Sequence, residues 1–98
     1  MEVPTYEVET ETAKIGGKEV KGGMYKLEYT HDGWFGRSRW FVTYAPAPHT
    51  PVIRFEKQGQ QIDSAEFEPK DYKKLKGFSM FCAGGHTGVI KDIRRKMH

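Results

Sequence analysis

A cysteine and a histidine lie four residues apart in the stretch CAGGHTG, residues 82–88, and they are the first candidates for chemistry. A cysteine acts as a nucleophile only as the thiolate, which needs a nearby base, a cation or a helix N-terminus. A compact loop would bring the Cys82 thiol within hydrogen-bond reach of the His86 imidazole. No arginine closes the stretch as in a phosphatase loop, and the spacing identifies no third catalytic partner. The pattern therefore favours a small buried cysteine that ends a strand, with a polar loop histidine after it.

The same stretch has features of a backbone anion site. Its glycines would let the main chain approach a ligand closely, and Thr87 would cap the helix that we expect to follow. The N-terminus of a helix offers unpaired N–H groups to an anion. No Lys-Ser or Lys-Thr pair follows the glycines, which argues against a triphosphate-binding P-loop. The candidate anion-binding residues are Gly84, Gly85, His86 and Thr87, and the alternative is a tight strand-to-helix connection without a ligand.

Aromatic and cationic residues alternate in WFGRSRWF, residues 34–41. In a single strand, Phe35, Arg37, Arg39 and Phe41 would share one face, with Trp40 on the core side. Stacking surfaces beside positive charge are how single-stranded nucleic acids are often held. If residues 36–38 instead form a turn, the two arginines lie at its tip and the aromatic rings pack in the core. Both interpretations remain open.

A proline-rich segment, PAPHTP at residues 46–51, follows the strongly strand-forming RWFVTYA. Proline fixes the backbone near an extended path, so we expect a stiff loop that loses little entropy when it docks on another protein. The basic runs KDYKKLK and IKDIRRK offer further contacts, or they are only solvated helix faces. The candidate partner-binding residues from these regions are Trp34, Arg37, Arg39, Trp40, Tyr44, Pro48, His49, Lys91, Arg94 and Arg95.

The length and composition indicate one globular domain, residues 1–98. The chain has 98 residues, of which 37% are hydrophobic, 30% charged and 13% aromatic, and its formal net charge is +3. Residues 69–98 contain eight Lys/Arg and two Asp/Glu and so carry +6, whereas residues 1–68 carry eight Lys/Arg, eleven Asp/Glu and −3. We therefore expect a basic C-terminal third on a slightly acidic body.

The single cysteine excludes an internal disulfide, and with the four histidines it matches no zinc-site spacing. We accordingly expect a reducing compartment, no metal and no cofactor. The apolar runs are far shorter than the roughly 20 residues that cross a bilayer, and the acidic N-terminus does not have the pattern of a signal segment. These features predict a cytoplasmic protein that does not bind a membrane.

Period-two alternation predicts strands at 5–15, 18–21, 24–30 and 39–45, and a hairpin over 52–67 with Gly59 in its turn. Pro69 and Gly77 bound a predicted short helix, residues 78–81 read as a core strand, and TGVIKDIRRKMH, residues 87–98, has a helical spacing of apolar residues. The predicted fold class is α+β: about six antiparallel strands, in a meander or a partly open barrel, with two short helices in the C-terminal third.

The absence of an assembled catalytic set predicts a protein that is not an enzyme. We predict a small protein-binding module, of the inhibitor or adaptor type, that binds stoichiometrically. It would use the proline loop, exposed aromatic residues and the basic terminal helix against an acidic surface of another protein. Two alternatives remain: a nucleic-acid-binding protein that uses the Arg/aromatic strand and the basic helix, and a small Cys/His enzyme.

Overall fold

A closed ring of antiparallel strands forms the body of the molecule in the computed structural model. The structure describes residues 4–44, 47–83 and 85–96, and at 47 and 48 it describes the backbone alone. The strands are β1 (Thr5–Glu11), β2 (Ala13–Ile15), β3 (Lys18–Val20), β4 (Met24–Asp32), β5 (Arg37–Tyr44), β6 (Ala47–Lys57), β7 (Gln60–Asp63), β8 (Ser79–Cys82) and β9 (Gly85–Lys96). A 3-10 helix, Pro69–Leu75, precedes β8.

The strand order in the main sheet is β5-β4-β1-β9-β8-β6-β7, and β5 also pairs with β6. The second pairing closes six of the strands into a barrel, with β7 as a hairpin partner of β6 and β2–β3 as a separate hairpin. The predicted antiparallel sheet is therefore confirmed. The barrel is closed rather than partly open because the bent strand β6 pairs with β5 over its first half and with β8 over its second.

The predicted terminal helix over residues 87–98 is wrong, because this segment is the long strand β9 as far as Lys96. Its inward residues Ile90 and Ile93 are three positions apart, which is a helical spacing. Opposite β1, however, Glu9 pairs with Asp92 and Thr10 pairs with Ile90, so Lys91 is an extra residue in β9. This β-bulge turns both isoleucines toward the core and so reproduces a helical pattern within a strand.

The other predicted helix is present as the 3-10 helix that begins at Pro69. Leu75 at its end is fully buried, and the ring of Tyr72 lies 5.0 Å from the ring of Tyr6. The helix therefore packs on the core with its apolar side. No helix within the described ranges is long and apolar enough to cross a membrane.

The core is built around Trp40, which is fully buried. Its ring lies 5.2 Å from Tyr6 and 6.2 Å from Phe55, and its Nε1 donates a hydrogen bond to the carbonyl of Phe67 at 2.9 Å. Burial of large side chains stabilises a fold by about 1.5–3 kcal/mol each. The hydrogen bond removes the cost of burying the indole N–H, so Trp40 belongs to the barrel interior.

Two connections differ from prediction in ways that matter for function. The turn between β4 and β5 spans residues 33–36, so that Trp34 and Phe35 form its tip while Arg37 and Arg39 lie within β5. The segment predicted as a proline loop is the start of β6 from residue 47 onward. It pairs with β5 through Val42↔Thr50 and Phe41↔Pro51, so these residues form part of the barrel wall.

Candidate interaction surface on the outer face of β5

Two aromatic side chains project from the β4–β5 turn. Trp34 is 95% exposed and Phe35 is 60% exposed. The turn that carries them is fixed at Asp32, whose Oδ1 accepts the Trp34 backbone N–H at 2.9 Å and whose carbonyl accepts the Gly36 N–H at 2.8 Å. Gly36 has φ +67°, a conformation that glycine adopts without strain. The backbone therefore holds an exposed indole at a defined position.

Arg39 lies beneath Phe35 on the outer face of β5. It is only 3% exposed, and its Cζ is 4.2 Å from the centre of the Phe35 ring. The nearest carboxylate is that of Asp32, whose Oδ2 is 3.7 Å from Arg39 Nε. This separation is too long for a hydrogen bond, and Nε finds no hydrogen-bond partner among the described residues. The guanidinium of Arg39 is thus buried on the outer face of the barrel, and its contact with Asp32 compensates only weakly for its removal from water.

Phe41 continues this outer face. It alternates along β5 with the core residues Trp40 and Val42, yet it is only 7% exposed. The cause is His49, whose ring stacks on Phe41 at 4.5 Å with an interplanar angle of 7°. We name Trp34, Phe35, Arg39, Phe41 and His49 the β5 strip.

His49 has an unusual backbone conformation, with φ +55°, which a residue other than glycine adopts infrequently. Its Nδ1 lies 3.0 Å from Glu28 Oε1, on the neighbouring strand β4. The stacking on Phe41 and the contact with Glu28 hold the imidazole in place, and its side chain is about half exposed. Backbone strain of this kind concentrates at functional sites, which makes the strip a candidate for function.

Each basic side chain on or beside the strip faces a carboxylate. Arg37 lies 3.2 Å from Asp63, Arg39 lies 3.7 Å from Asp32, and His49 contacts Glu28. The local charge is therefore close to balanced even when His49 is protonated. The surface is aromatic and polar rather than strongly basic.

The basic C-terminal segment is also neutralised locally. Because β9 pairs with β1, Lys91 approaches Glu9 at 3.8 Å, and Arg94 and Lys96 approach Glu7 at 3.4 and 3.1 Å. Burial raises the pKa of the Tyr6 hydroxyl, and the positive charge of the exposed Arg95 opposes this effect. The predicted basic helix face is thus replaced by cross-strand ion pairs.

Of the predicted partner-binding residues, Trp34, Arg37, Arg39 and His49 gather on or beside the strip. Trp40 lies in the core, and Tyr44 is half-buried against Tyr25, with ring centres 5.4 Å apart. The side chain of Pro48 lies outside the described residues. Phe35 and Phe41 are predicted beside Arg37 and Arg39 only in the single-strand, nucleic-acid interpretation, as stacking surfaces, and not among the partner-binding residues. Burial of Phe41 under His49 has no signal in the sequence.

The Cys82 and His86 side chains lie on opposite faces of the sheet. Cys82 is fully buried in the core, and burial raises the pKa of its thiol to about 12. His86 packs instead against the outer side of Phe81, with ring centres 5.0 Å apart. The chain therefore has no thiolate–imidazole pair at these positions, and a nucleophilic Cys82 has no support.

His86 contacts two other polar groups on that outer face. Its Nδ1 is 3.5 Å from Ser79 Oγ and its Nε2 is 3.8 Å from a Glu56 carboxylate oxygen. The residue types match a Ser-His-acid set. Ser79, however, is only 3% exposed, and its hydroxyl donates a hydrogen bond to the Glu56 carbonyl at 3.4 Å. A serine that is buried in this way cannot reach a substrate, so we interpret the cluster as a structural hydrogen-bond network.

The predicted anion site depended on the N-terminus of a helix after the glycines. Gly85, His86 and Thr87 belong to strand β9, so that helix end does not exist. Gly84 lies outside the described residues. Among the described residues no group of His, Cys, Asp and Glu side chains is arranged to hold a metal ion. Comparison of the chain with protein-family models, curated proteins and solved structures finds no match.

Proposed function

We propose that this protein is a small, non-catalytic protein-binding module, an inhibitor or adaptor, that docks stoichiometrically on another protein through the β5 strip. The observation that carries the proposal is the pair of exposed aromatic side chains, Trp34 and Phe35, on a turn that Asp32 fixes. Trp and Arg are the residue types that most often dominate the binding energy of protein interfaces. A preformed turn also loses little conformational entropy on docking.

The almost fully exposed indole of Trp34 keeps apolar surface in contact with water. Covering a large aromatic side chain recovers about 25 cal/mol for each Å² of apolar surface removed from water. The folded protein does not gain this free energy at Trp34, which stays in water, whereas Trp40 is completely buried. A partner with a concave apolar site would recover it, which is the behaviour of an interface anchor.

Nucleic-acid binding is the second candidate, because the exposed rings of Trp34, Phe35 and His49 would allow base stacking. Affinity for nucleic acids, however, comes mainly from cations that are free to neutralise phosphates. Arg37, His49 and several cations on β9 already face carboxylates. Arg39 is only 3% exposed, so it does not offer its charge to an extended phosphate backbone. Charge balance therefore favours a protein partner. We extend the proposal to the cytoplasm, where an unpaired cysteine such as Cys82 is usual.

The test is affinity capture from a lysate of the source cell, with and without nuclease, followed by mass spectrometry. The wild-type protein is compared with the double variant Trp34→Ala/Phe35→Ala and with Met24→Ala. Met24 is 61% exposed on β4 outside the strip and is a matched control for loss of exposed apolar surface.

We expect one protein to be retained near equimolar ratio by the wild type and by Met24→Ala, to survive nuclease, and to be lost from the double variant. Equal capture by all three proteins would exclude the strip as the interface. Material that disappears with nuclease would transfer the function to nucleic-acid binding.

A further inference from the structure

Arg39 is less well satisfied than a buried arginine normally is. Within the part of the chain that the structure describes, its Nε has no hydrogen-bond partner, and the one carboxylate in ion-pair range, that of Asp32, stays 3.7 Å away. The other oxygen of that carboxylate already accepts the backbone N–H of Trp34. Removing a guanidinium from water is costly unless it is paired and hydrogen-bonded, so each such group calls for an explanation.

The Phe35 ring, which is itself 60% exposed, packs on one side of the Arg39 guanidinium. A side chain that is mostly exposed has few contacts to lose when it rotates away. Rotation about the Phe35 side-chain bonds would move the ring and leave the turn that Asp32 fixes unchanged. The guanidinium is therefore covered on one side by a group that an incoming ligand can displace, at the cost of the cation–π contact.

The chemistry of the expected ligand follows from these two groups. A guanidinium with an open hydrogen-bonding position matches a carboxylate, and such charge-assisted bonds are about twice as strong as neutral ones. Trp34, next to Phe35 on the same turn, offers apolar contact surface. Together they are complementary to a short segment with an acidic side chain close to a large apolar one.

On the basis of the proposed function, we infer that the partner of the β5 strip binds through an acidic, apolar peptide segment, whose carboxylate displaces Phe35 and pairs with Arg39 while its apolar side chain packs on Trp34. Arg39 is then the residue that determines specificity, and Trp34 is the anchor. Arg37 stays engaged with Asp63 and contributes at the rim.

The experiment is selection of linear peptides from a displayed random library. The baits are the wild type, Trp34→Ala, Asp32→Asn/Arg39→Met and Lys26→Met, which removes an exposed cation on β4 outside the strip. The Asp32→Asn change keeps an oxygen for the Trp34 N–H and leaves no unpaired charge when Arg39 is removed. Urea unfolding of each bait confirms that it is folded.

We expect the wild type and Lys26→Met to enrich peptides with Asp or Glu near a bulky apolar residue. The Asp32→Asn/Arg39→Met bait should keep the apolar preference and lose the acidic one. A synthetic peptide from the wild-type selection should bind this variant about tenfold or more weakly, the loss expected for a charged hydrogen bond.

The outcomes that overturn the inference differ from those that overturn the proposed function. Peptides without an acidic preference, an acidic preference that survives in Asp32→Asn/Arg39→Met, or no enrichment by the wild type would each reject the inference. Identical peptides from Trp34→Ala would reject the strip as the binding surface and with it the proposed function. Binding of single-stranded oligo-dT that depends on Arg39 would assign the anionic ligand to nucleic acid instead.

Discussion

The Cys82 thiol lies inside the barrel, and its protonation links stability to pH. Burial raises its pKa from 9.0 to about 12. Between these values the unfolded chain has lost the thiol proton while the folded chain retains it. Unfolding then releases a proton, so the free energy of unfolding falls as pH rises through this window and is unaffected below it. Burial also raises the pKa values of Tyr6 and Tyr44. These two groups therefore lower the free energy of unfolding further as pH rises above the ordinary tyrosine pKa.

We therefore expect wild-type protein to lose about 1 to 2 kcal/mol more stability than Cys82→Ala between about pH 8 and about pH 10.5. Urea unfolding of both proteins at the two pH values measures the difference. A thiol reagent provides the control, because the folded protein should react only as fast as it opens. Rapid labelling of the folded protein at neutral pH, or equal pH dependence of the two proteins, would contradict the buried, protonated thiol.

For single residues, the sequence predicts chemical character better than it predicts whether the side chain is buried or exposed. It predicts Cys82 correctly as a small buried residue that ends a strand, because an isolated cysteine behaves as an apolar side chain. It does not separate exposed Trp34 from buried Trp40, since both stand in the same aromatic run. Their difference depends on one turn, residues 33–36, whose position is set by the Asp32 contacts. These contacts are visible only once the chain is folded.

At the scale of elements, the bulge in β9 is the main reason why a strand resembled a helix. Ile90 and Ile93 acquire helical spacing because Lys91 is inserted between them. Neighbouring residues do contain a strand signal, since Thr87, Val89 and Ile90 are β-branched. Local propensity and apolar spacing disagree in this segment, and pairing with β1 decides the outcome. That pairing joins the two ends of the chain and has no local signature.

Gly88 marks the place where β9 passes close to β1. A Cβ at this position would lie 2.8 Å from the Glu11 carbonyl oxygen and 3.3 Å from Gly22 Cα, and Gly88 has φ +87°. Beside it, Thr10 Oγ1 donates to the Thr87 carbonyl at 2.7 Å and accepts the Gly23 N–H at 2.9 Å. Backbone from three parts of the chain is therefore packed together, and only glycine fits.

We expect Gly88→Ala to lower the free energy of unfolding by about 2 to 4 kcal/mol, from backbone strain plus overpacking. Gly16→Ala is the matched control: Gly16 has φ +61°, but nothing lies within 4 Å of its added Cβ. The control should lose only about 1 kcal/mol. Urea unfolding at neutral pH measures both. Equal losses would show that the close approach to β1 adds nothing beyond the φ constraint.

At the scale of the whole molecule, the sequence predicts the antiparallel class but not the closure of the barrel. Closure needs β5 to pair with β6 and β1 to pair with β9, for example Thr5 with Lys96. Pairing over such a separation is decided by the total of buried contacts rather than by local patterns. The same pairing places acidic β1 beside basic β9. It thereby balances the charge of the basic strand β9 with that of acidic β1.

This charge balance leads to a prediction about salt. Surface charges are screened over roughly 8 to 10 Å at physiological ionic strength, whereas a buried pair such as the one we infer at Arg39 is screened much less. A peptide selected by the wild-type protein should therefore bind with a Kd that rises less than about threefold between about 50 and about 200 mM salt. Fluorescence anisotropy of a labelled peptide measures it, with oligo-dT as the comparison. A loss of about a thousandfold, as for a protein that neutralises many phosphates, would contradict binding through a buried ion pair and an aromatic anchor.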